Sequence, residues 1–199
     1  ALTGVAVKQG VLGVLGLDDS ICATLGKQRD EVCEVKVRHL LEYASGLDWL
    51  EEYGEGDVVS SSVAAMLYGE GRRDATRFVL DHRFYDKPGK SWRYSTGEAT
   101  VLATIAKTAL TKKFGKDWAW RGLFDVLGMR RVVFEEDLVG APLGGSYVFA
   151  TPRDFARFGY LFLRDGCWQG ARLLPEGWVA TSTTQSASFS SSTLATLDT

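Results

Sequence analysis

The segment Lys87-Pro88-Gly89-Lys90-Ser91-Trp92-Arg93-Tyr94-Ser95-Thr96-Gly97-Glu98 stands out for the chemistry its side chains could carry. Pro88-Gly89 makes a turn, a short extended stretch follows, and Tyr94-Ser95-Thr96 opens directly onto the longest helix that the spacing predicts. A phenol followed by two hydroxyls at a helix N-terminus is a concentrated patch of donors and acceptors. On spacing alone, the same residues serve equally as a buried tyrosine followed by a Ser/Thr helix cap. Both readings stand at this point.

Elsewhere the chemistry-bearing residues are sparse. No G-x-S-x-G elbow occurs, and Gly144-Gly145-Ser146-Tyr147-Val148 comes closest but lacks the last glycine. The only histidines are His39, inside an apparent helix, and His82, in the charged turn Asp81-His82-Arg83. Both read as structural or surface residues rather than members of a Ser-His-Asp triad. The carboxylate clusters Glu51-Glu52 and Glu135-Glu136-Asp137 read as solvated faces. Glycines recur from Gly10 to Gly16 without the Gly-Lys-Ser/Thr that a phosphate loop needs, so a turn after the first helix is expected there. No His/Cys/carboxylate spacing suggests a metal site, and no cofactor is implied. Cys22, Cys33 and Cys167 form no C-x-x-C pair, and the expectation is three reduced, mostly buried thiols.

The elements that must position these groups are mainly helical. Ala1–Gly10 reads as the end of an apolar helix. Val37–Tyr43 places Val37, Leu40 and Leu41 on one face, with Gly46 ending the turn. Asp57–Tyr68 is expected to be helical behind an Asp57 cap, with Val58, Val59, Val63, Met66 and Leu67 apolar. Asp74–Leu80 continues similarly. Thr96–Phe114 is the longest helix, with a small-residue face and with Lys112 and Lys113 complementing its C-terminal dipole. Asp117–Leu127 and Thr151–Arg164 complete the set, the latter with a Thr151 cap, Pro152 in the first turn and Asp154 behind it. The strand candidates are Arg131–Phe134 and Ser146–Ala150.

Composition closes off several classes. At 199 residues, with 45% apolar and 24% charged residues, the chain can bury a real core and is not wholesale disordered. With 23 basic and 25 acidic residues the net charge is −2, which gives no clustered excess for a nucleic-acid backbone. No apolar run approaches the ~18 residues of a transmembrane segment, and no charged leader is visible. From Thr181 to Thr199, twelve of nineteen residues are Ser or Thr, a run with no periodicity to pack. The expected organisation is therefore a body over residues 1–180 and a disordered tail over 181–199.

Read in order, the chain resembles the serine β-lactamase/penicillin-binding-protein superfamily, in particular its class C-like esterases and 6-aminohexanoate-oligomer hydrolases. The stretches that carry the resemblance are Val35–Trp49, Pro88–Ala106, Phe124–Glu135 and Leu143–Val179. The resemblance implies a serine hydrolase acting on a small-molecule amide or ester substrate through an acyl-enzyme. It implies that Tyr94 lies near the nucleophile and assists proton transfer. The same element lines the catalytic cleft, and Thr96, at its Asn/Ser position, is implied to be substrate-binding, keeping a hydroxyl and losing an amide donor. The Gly144-Gly145-Ser146 loop resembles the segment bordering the substrate cleft.

The family's mechanism uses a Ser-x-x-Lys pair, a nucleophile and an amine one helical turn apart on the same face. No serine in the 199 residues is followed three positions later by lysine. The expectation is that the nucleophile lies a few residues before Ala1 and that most of the family's antiparallel sheet is missing. The fold class expected is thus mainly α with few short β strands, the helical region of the β-lactamase/transpeptidase-like α+β fold, with an exposed apolar face. A non-catalytic remnant or helical interaction module is the alternative function. Relatives are often exported; neither compartment nor oligomeric state can be read from these residues.

Overall fold

The computed structural model describes residues 1–10, 16–52, 61–186 and Phe189. The chain runs through α1 (Leu2–Lys8), α2 (Cys22–Leu25), α3 (Asp30–Cys33), α4 (Val37–Leu41), α5 (Ser62–Tyr68), α6 (Ala75–Leu80) and α7 (Thr96–Phe114). It continues through β1 (Val132–Phe134), β2 (Val148–Ala150), α8 (Pro152–Leu163), β3 (Cys167–Trp168), β4 (Ala171–Arg172) and α9 (Trp178–Thr183). The mainly α fold with few short strands is what the sequence leads one to expect.

Helix α7 is the axis. It starts because Ser95 is extended and its side chain accepts from Glu98 N at 3.0 Å. It stops at Gly115, whose φ is 70°. Between those ends Val101, Ile105, Ala106, Ala109 and Leu110 are buried, and α1, α4 and α6 pack against it. The small residues on this face let neighbouring backbones come close. Trp49 and Trp118 fill the largest buried volumes, and truncation of either to alanine costs about 3–5 kcal/mol.

The strands form two antiparallel pairs among the described residues. β1 and β2 meet in the register Val132↔Ala150 and Phe134↔Val148. β3 and β4 make a hairpin whose central residues Gln169 and Gly170 have φ of 47° and 81°, the backbone that matches strand twist. Val133 and Phe149, paired across the first ladder, point outward at 55% and 52% exposure. Phe155, Tyr160 and Leu163 of α8 are exposed as well.

Several expectations are corrected. Cys22 and Cys33 are joined in a disulfide, with Cα atoms 5.2 Å apart, and only Cys167 is free among the cysteines. The turn between α2 and α3 brings together two residues whose separation of 11 carries no motif. Closing a loop of that size contributes about 3 kcal/mol. Helix α5 begins behind Ser61, whose hydroxyl accepts from Ala64 N at 3.3 Å; the expected cap Asp57 lies outside the described residues, as do Val58 and Val59. Asp117–Leu127 is not one α-helix. A 3-10 turn at Gly115–Asp117 leads into a π-helical turn at Trp120–Phe124, where Asp125 N reaches Trp120 O at 2.9 Å. The wider turn buries Leu123, Phe124 and Leu127 together.

Helix α9 runs to Thr183, and its hydroxyl side chains bond back to its own carbonyls, as Ser182 does to Trp178 O at 2.8 Å. Residues 187–188 and 190–199 of the expected tail lie outside the described residues, and so do residues 11–15 of the glycine-rich run.

Candidate active site

Two motifs about fifty residues apart meet at the N-terminal end of α7. Gly145 lies against Thr96 so closely that an added Cβ would sit 2.6 Å from the Thr96 carbonyl oxygen. Gly144 meets the next turn in the same way, 2.6 Å from Ala99 O. Only residues without side chains allow this approach, which explains the Gly-Gly pair. Ser146 follows, half-buried, its N–H donating to Leu143 O at 3.1 Å. Tyr94, Thr96, Gly144, Gly145 and Ser146 are therefore brought into one neighbourhood.

Within it the residues differ in access. Tyr94 is 46% exposed, and its hydroxyl has no hydrogen-bond partner among the described residues. Its ring leans on Tyr43, with centroids 5.1 Å apart. Tyr43 sits at φ 53°, an uncommon backbone for a bulky residue, and its carbonyl accepts from Arg93 N at 2.9 Å. Burial, followed by the proximity of Tyr94, holds the Tyr43 phenol above its ordinary pKa. Thr96 is buried instead, and its hydroxyl donates to Glu51.

Beneath the tyrosines lies Glu98, 2% exposed. Its carboxyl group accepts from Ser45 Oγ at 2.7 Å and from Ser45 N at 3.3 Å. Burial raises its pKa to about 8, against which the two Ser45 hydrogen bonds pull weakly. A proton therefore resides on Glu98 at neutral pH. Ser45, in the turn that Gly46 is expected to end, thus helps to build this end of α7.

Glu51 also differs from the expected solvated face. Its carboxylate accepts from Trp49 Nε1 at 2.6 Å and from Thr96 N at 2.9 Å. In the other acidic cluster, Asp137 accepts from Ala75 N at 2.8 Å and from Ala141 N at 2.7 Å, while Glu136 pairs with Lys107 at 2.8 Å. Those residues tie loops together rather than face water freely. His39 accepts from Lys36 N at 3.2 Å in the first turn of α4, and His82 packs on Trp49 at 5.2 Å, so both are structural. Among the described residues no His/Cys/Asp/Glu cluster could hold a metal ion. No described helix is long and apolar enough to cross a membrane.

Sequence reasoning singled out Tyr94 and the glycine loop, and it did not single out Glu51, Ser45 or Glu98, which the structure places around them. Glu98 carried a usable signal, because Ser95-x-x-Glu98 reads as a capping box. Glu51 carried none, since its partner lies 45 residues away.

A family model described as Beta-lactamase matches residues 1–195. A Bacillus anthracis protein described as a 6-aminohexanoate-dimer hydrolase has a TM-score of 0.72 at 18% identity, over 94% of this chain and 53% of its own. A D-stereospecific amidohydrolase from Streptomyces reaches 0.63 at 17%, over 92% of this chain and 62% of its own. A penicillin binding protein from Bacillus halodurans gives 0.63 at 17%, over 90% and 60%. The chain thus spans little more than half the length of these structures, and likeness at such identity establishes fold alone. No curated protein sequence matches it.

Proposed function

The chain belongs to the beta-lactamase family, and on that premise we propose that it is part of a serine hydrolase cleaving amide or ester bonds through an acyl-enzyme. The observation that carries this reading is the placement of Tyr94. Tyr94 is exposed at the head of α7, its hydroxyl without a hydrogen-bond partner among the described residues, and Thr96, two residues on, meets the Gly144–Ser146 loop. In the reaction, a serine oxygen attacks the carbonyl carbon of a small-molecule amide or ester and loses its proton. The C–N or C–O bond then breaks, the leaving group takes up a proton, and water later hydrolyses the acyl-enzyme. Tyr94 serves the proton transfers, and Gly144, Gly145 and Ser146 border the substrate. Thr96 holds the element that carries Tyr94. The Ser-x-x-Lys pair is supplied from outside these 199 residues, because none of their serines has lysine at the third following position.

The same absence favours the second reading, a non-catalytic remnant or helical interaction module. A fluorophosphonate probe separates the two. It should label the protein that joins this chain to a Ser-x-x-Lys segment and spare residues 1–199 alone. Replacing Tyr94 by phenylalanine in the joined protein should slow labelling by about 10²-fold. Labelling of residues 1–199 alone would overturn the external nucleophile. A joined protein that resists the probe supports the remnant.

A further inference from the structure

Helix α7 needs acceptors for the N–H groups of its first turn. Ser95 Oγ takes the Glu98 N–H and leaves the Thr96 N–H, which points at the Glu51 carboxylate 2.9 Å away. Glu51 also takes the Thr96 hydroxyl proton, so a single carboxylate fixes both donors of that residue. A negative charge at this position is favoured by the helix dipole.

Glu51 is itself held in place. Trp49, 1% exposed, donates its indole N–H to Glu51 at 2.6 Å. The Trp49 ring lies against the α7 backbone, where a Cβ added at Gly97 would come 2.8 Å from Cζ3. Leu50, between the two, is tied to the start of α5, since Ser62 N donates to Leu50 O at 3.0 Å. The carboxylate thus joins the Trp49 segment to the residue two positions after Tyr94.

We propose that Glu51 is the positioning residue for Tyr94, acting through Thr96 to fix the head of α7 from which the phenol projects. The catalytic part of this proposal rests on the hydrolase reading above. Glu51 touches no reacting atom in it. Its work is to hold the backbone of Tyr94-Ser95-Thr96 in one geometry, where small displacements of a reacting group cost rate.

The test is Glu51→Ala. Oε2 of Glu51 accepts both the Trp49 and the Thr96 N–H, so a carboxamide oxygen could keep both, whereas alanine leaves those two donors and the Thr96 hydroxyl without their shared acceptor. In the joined protein, fluorophosphonate labelling should slow by about tenfold or more while the thermal midpoint moves by a few degrees. In residues 1–199, the amide resonance of Thr96, the indole resonance of Trp49 and the ring resonances of Tyr94 should all shift. Thr96→Val removes only the hydroxyl donor and should move the Tyr94 resonances in the same direction by less. An unchanged labelling rate, or unmoved Tyr94 resonances in both variants, would overturn the proposal. If the unmodified joined protein is not labelled, the hydrolase reading fails by itself, and the Tyr94 resonances still decide whether Glu51 positions that residue.

Discussion

Helices α7 and α8 begin with the same local grammar and end up with acids in different charge states. Each opens on an extended hydroxyl residue, Ser95 or Thr151, whose oxygen accepts from the N–H three residues later. That third residue is an acid in both, Glu98 or Asp154, and both acids are buried. Asp154 bonds with Arg157 at 2.6 Å, with Thr151 Oγ1 at 2.9 Å and with Arg131 N at 3.2 Å. Burial works to raise its pKa, but the hydrogen bonds from Thr151, Arg131 and Arg157 outweigh it and leave the pKa below the usual carboxylate value. Glu98 has two donors from Ser45 and no cation, so burial wins. A hydroxyl cap followed by an acid therefore says where a helix starts, and the neighbours brought by the fold decide whether that acid is a charge or a stored proton. The neutral acid lies at the end proposed for catalysis, where perturbed groups are expected.

The comparison breaks most visibly with pH. The folded pKa of Glu98, about 8, lies above the ordinary glutamate value of 4.5. The folded state therefore keeps a proton that the unfolded state has released between those values. Stability from Glu98 is full below the unfolded pKa and is lost as pH rises towards 8, at up to about 1 kcal/mol per unit, several kcal/mol in all. Replacing Glu98 by glutamine removes the titration while keeping an acceptor for Ser45. Denaturant unfolding of the variant should show a flatter profile from pH 5 to 8 and a gain over the unmodified chain at pH 8. Equal slopes would mean that Glu98 is charged after all.

Gly145 sharpens the difference from another side, because the start of α7 is packed under a loop. Gly145→Ala forces its Cβ onto the Thr96 carbonyl, and the expected loss is about 1–3 kcal/mol in denaturant unfolding. A loss near zero would show that the loop yields.

Asp154→Asn should act in the opposite pH range from Glu98. Because the folded pKa of Asp154 is lowered, its contribution is present above the unfolded pKa and disappears as pH falls through the folded one. The variant should lose several degrees of thermal midpoint at pH 7, and that deficit should close as pH falls. A constant difference from pH 7 down to pH 2 would refute the charge assignment.

What could be read from sequence follows the same division. Ser95, Thr151 and Asp74 were legible as caps because a cap and its target lie three residues apart on the chain. The strands at Val132–Phe134 and Val148–Ala150 were legible from short apolar runs, though nothing in those runs gives their pairing. The long-range links were not legible. Ser45 and Glu98 are 53 residues apart, Glu51 and Thr96 are 45 apart, and each member taken alone looks like an ordinary surface residue. Cys22 and Cys33 illustrate the same failure at short range, since only the turn between α2 and α3 brings their Cα atoms to 5.2 Å. Tyr94 could be singled out because the residues that mark it are its neighbours in sequence, whereas the partners of Glu51 include Thr96, 45 residues away.

The smallest predicted effect isolates the grammar that the two helices share. Ser95→Ala and Thr151→Ala each remove one acceptor from a first-turn N–H, at Glu98 in one case and Asp154 in the other. Each change should cost about 1 kcal/mol in denaturant unfolding if the caps act locally. Thr151 also donates to Asp154 at 2.9 Å, whereas Ser95 makes no such bond to the Glu98 carboxyl, which turns to Ser45. Thr151→Ala should therefore raise the pKa of Asp154 and move the acid limb of unfolding upward in pH. Ser95→Ala should leave the Glu98 limb between pH 5 and 8 where it was. Movement of both limbs together would mean that the cap and the acid titrate as one unit in both helices, and that the difference between them does not arise from the distant partners.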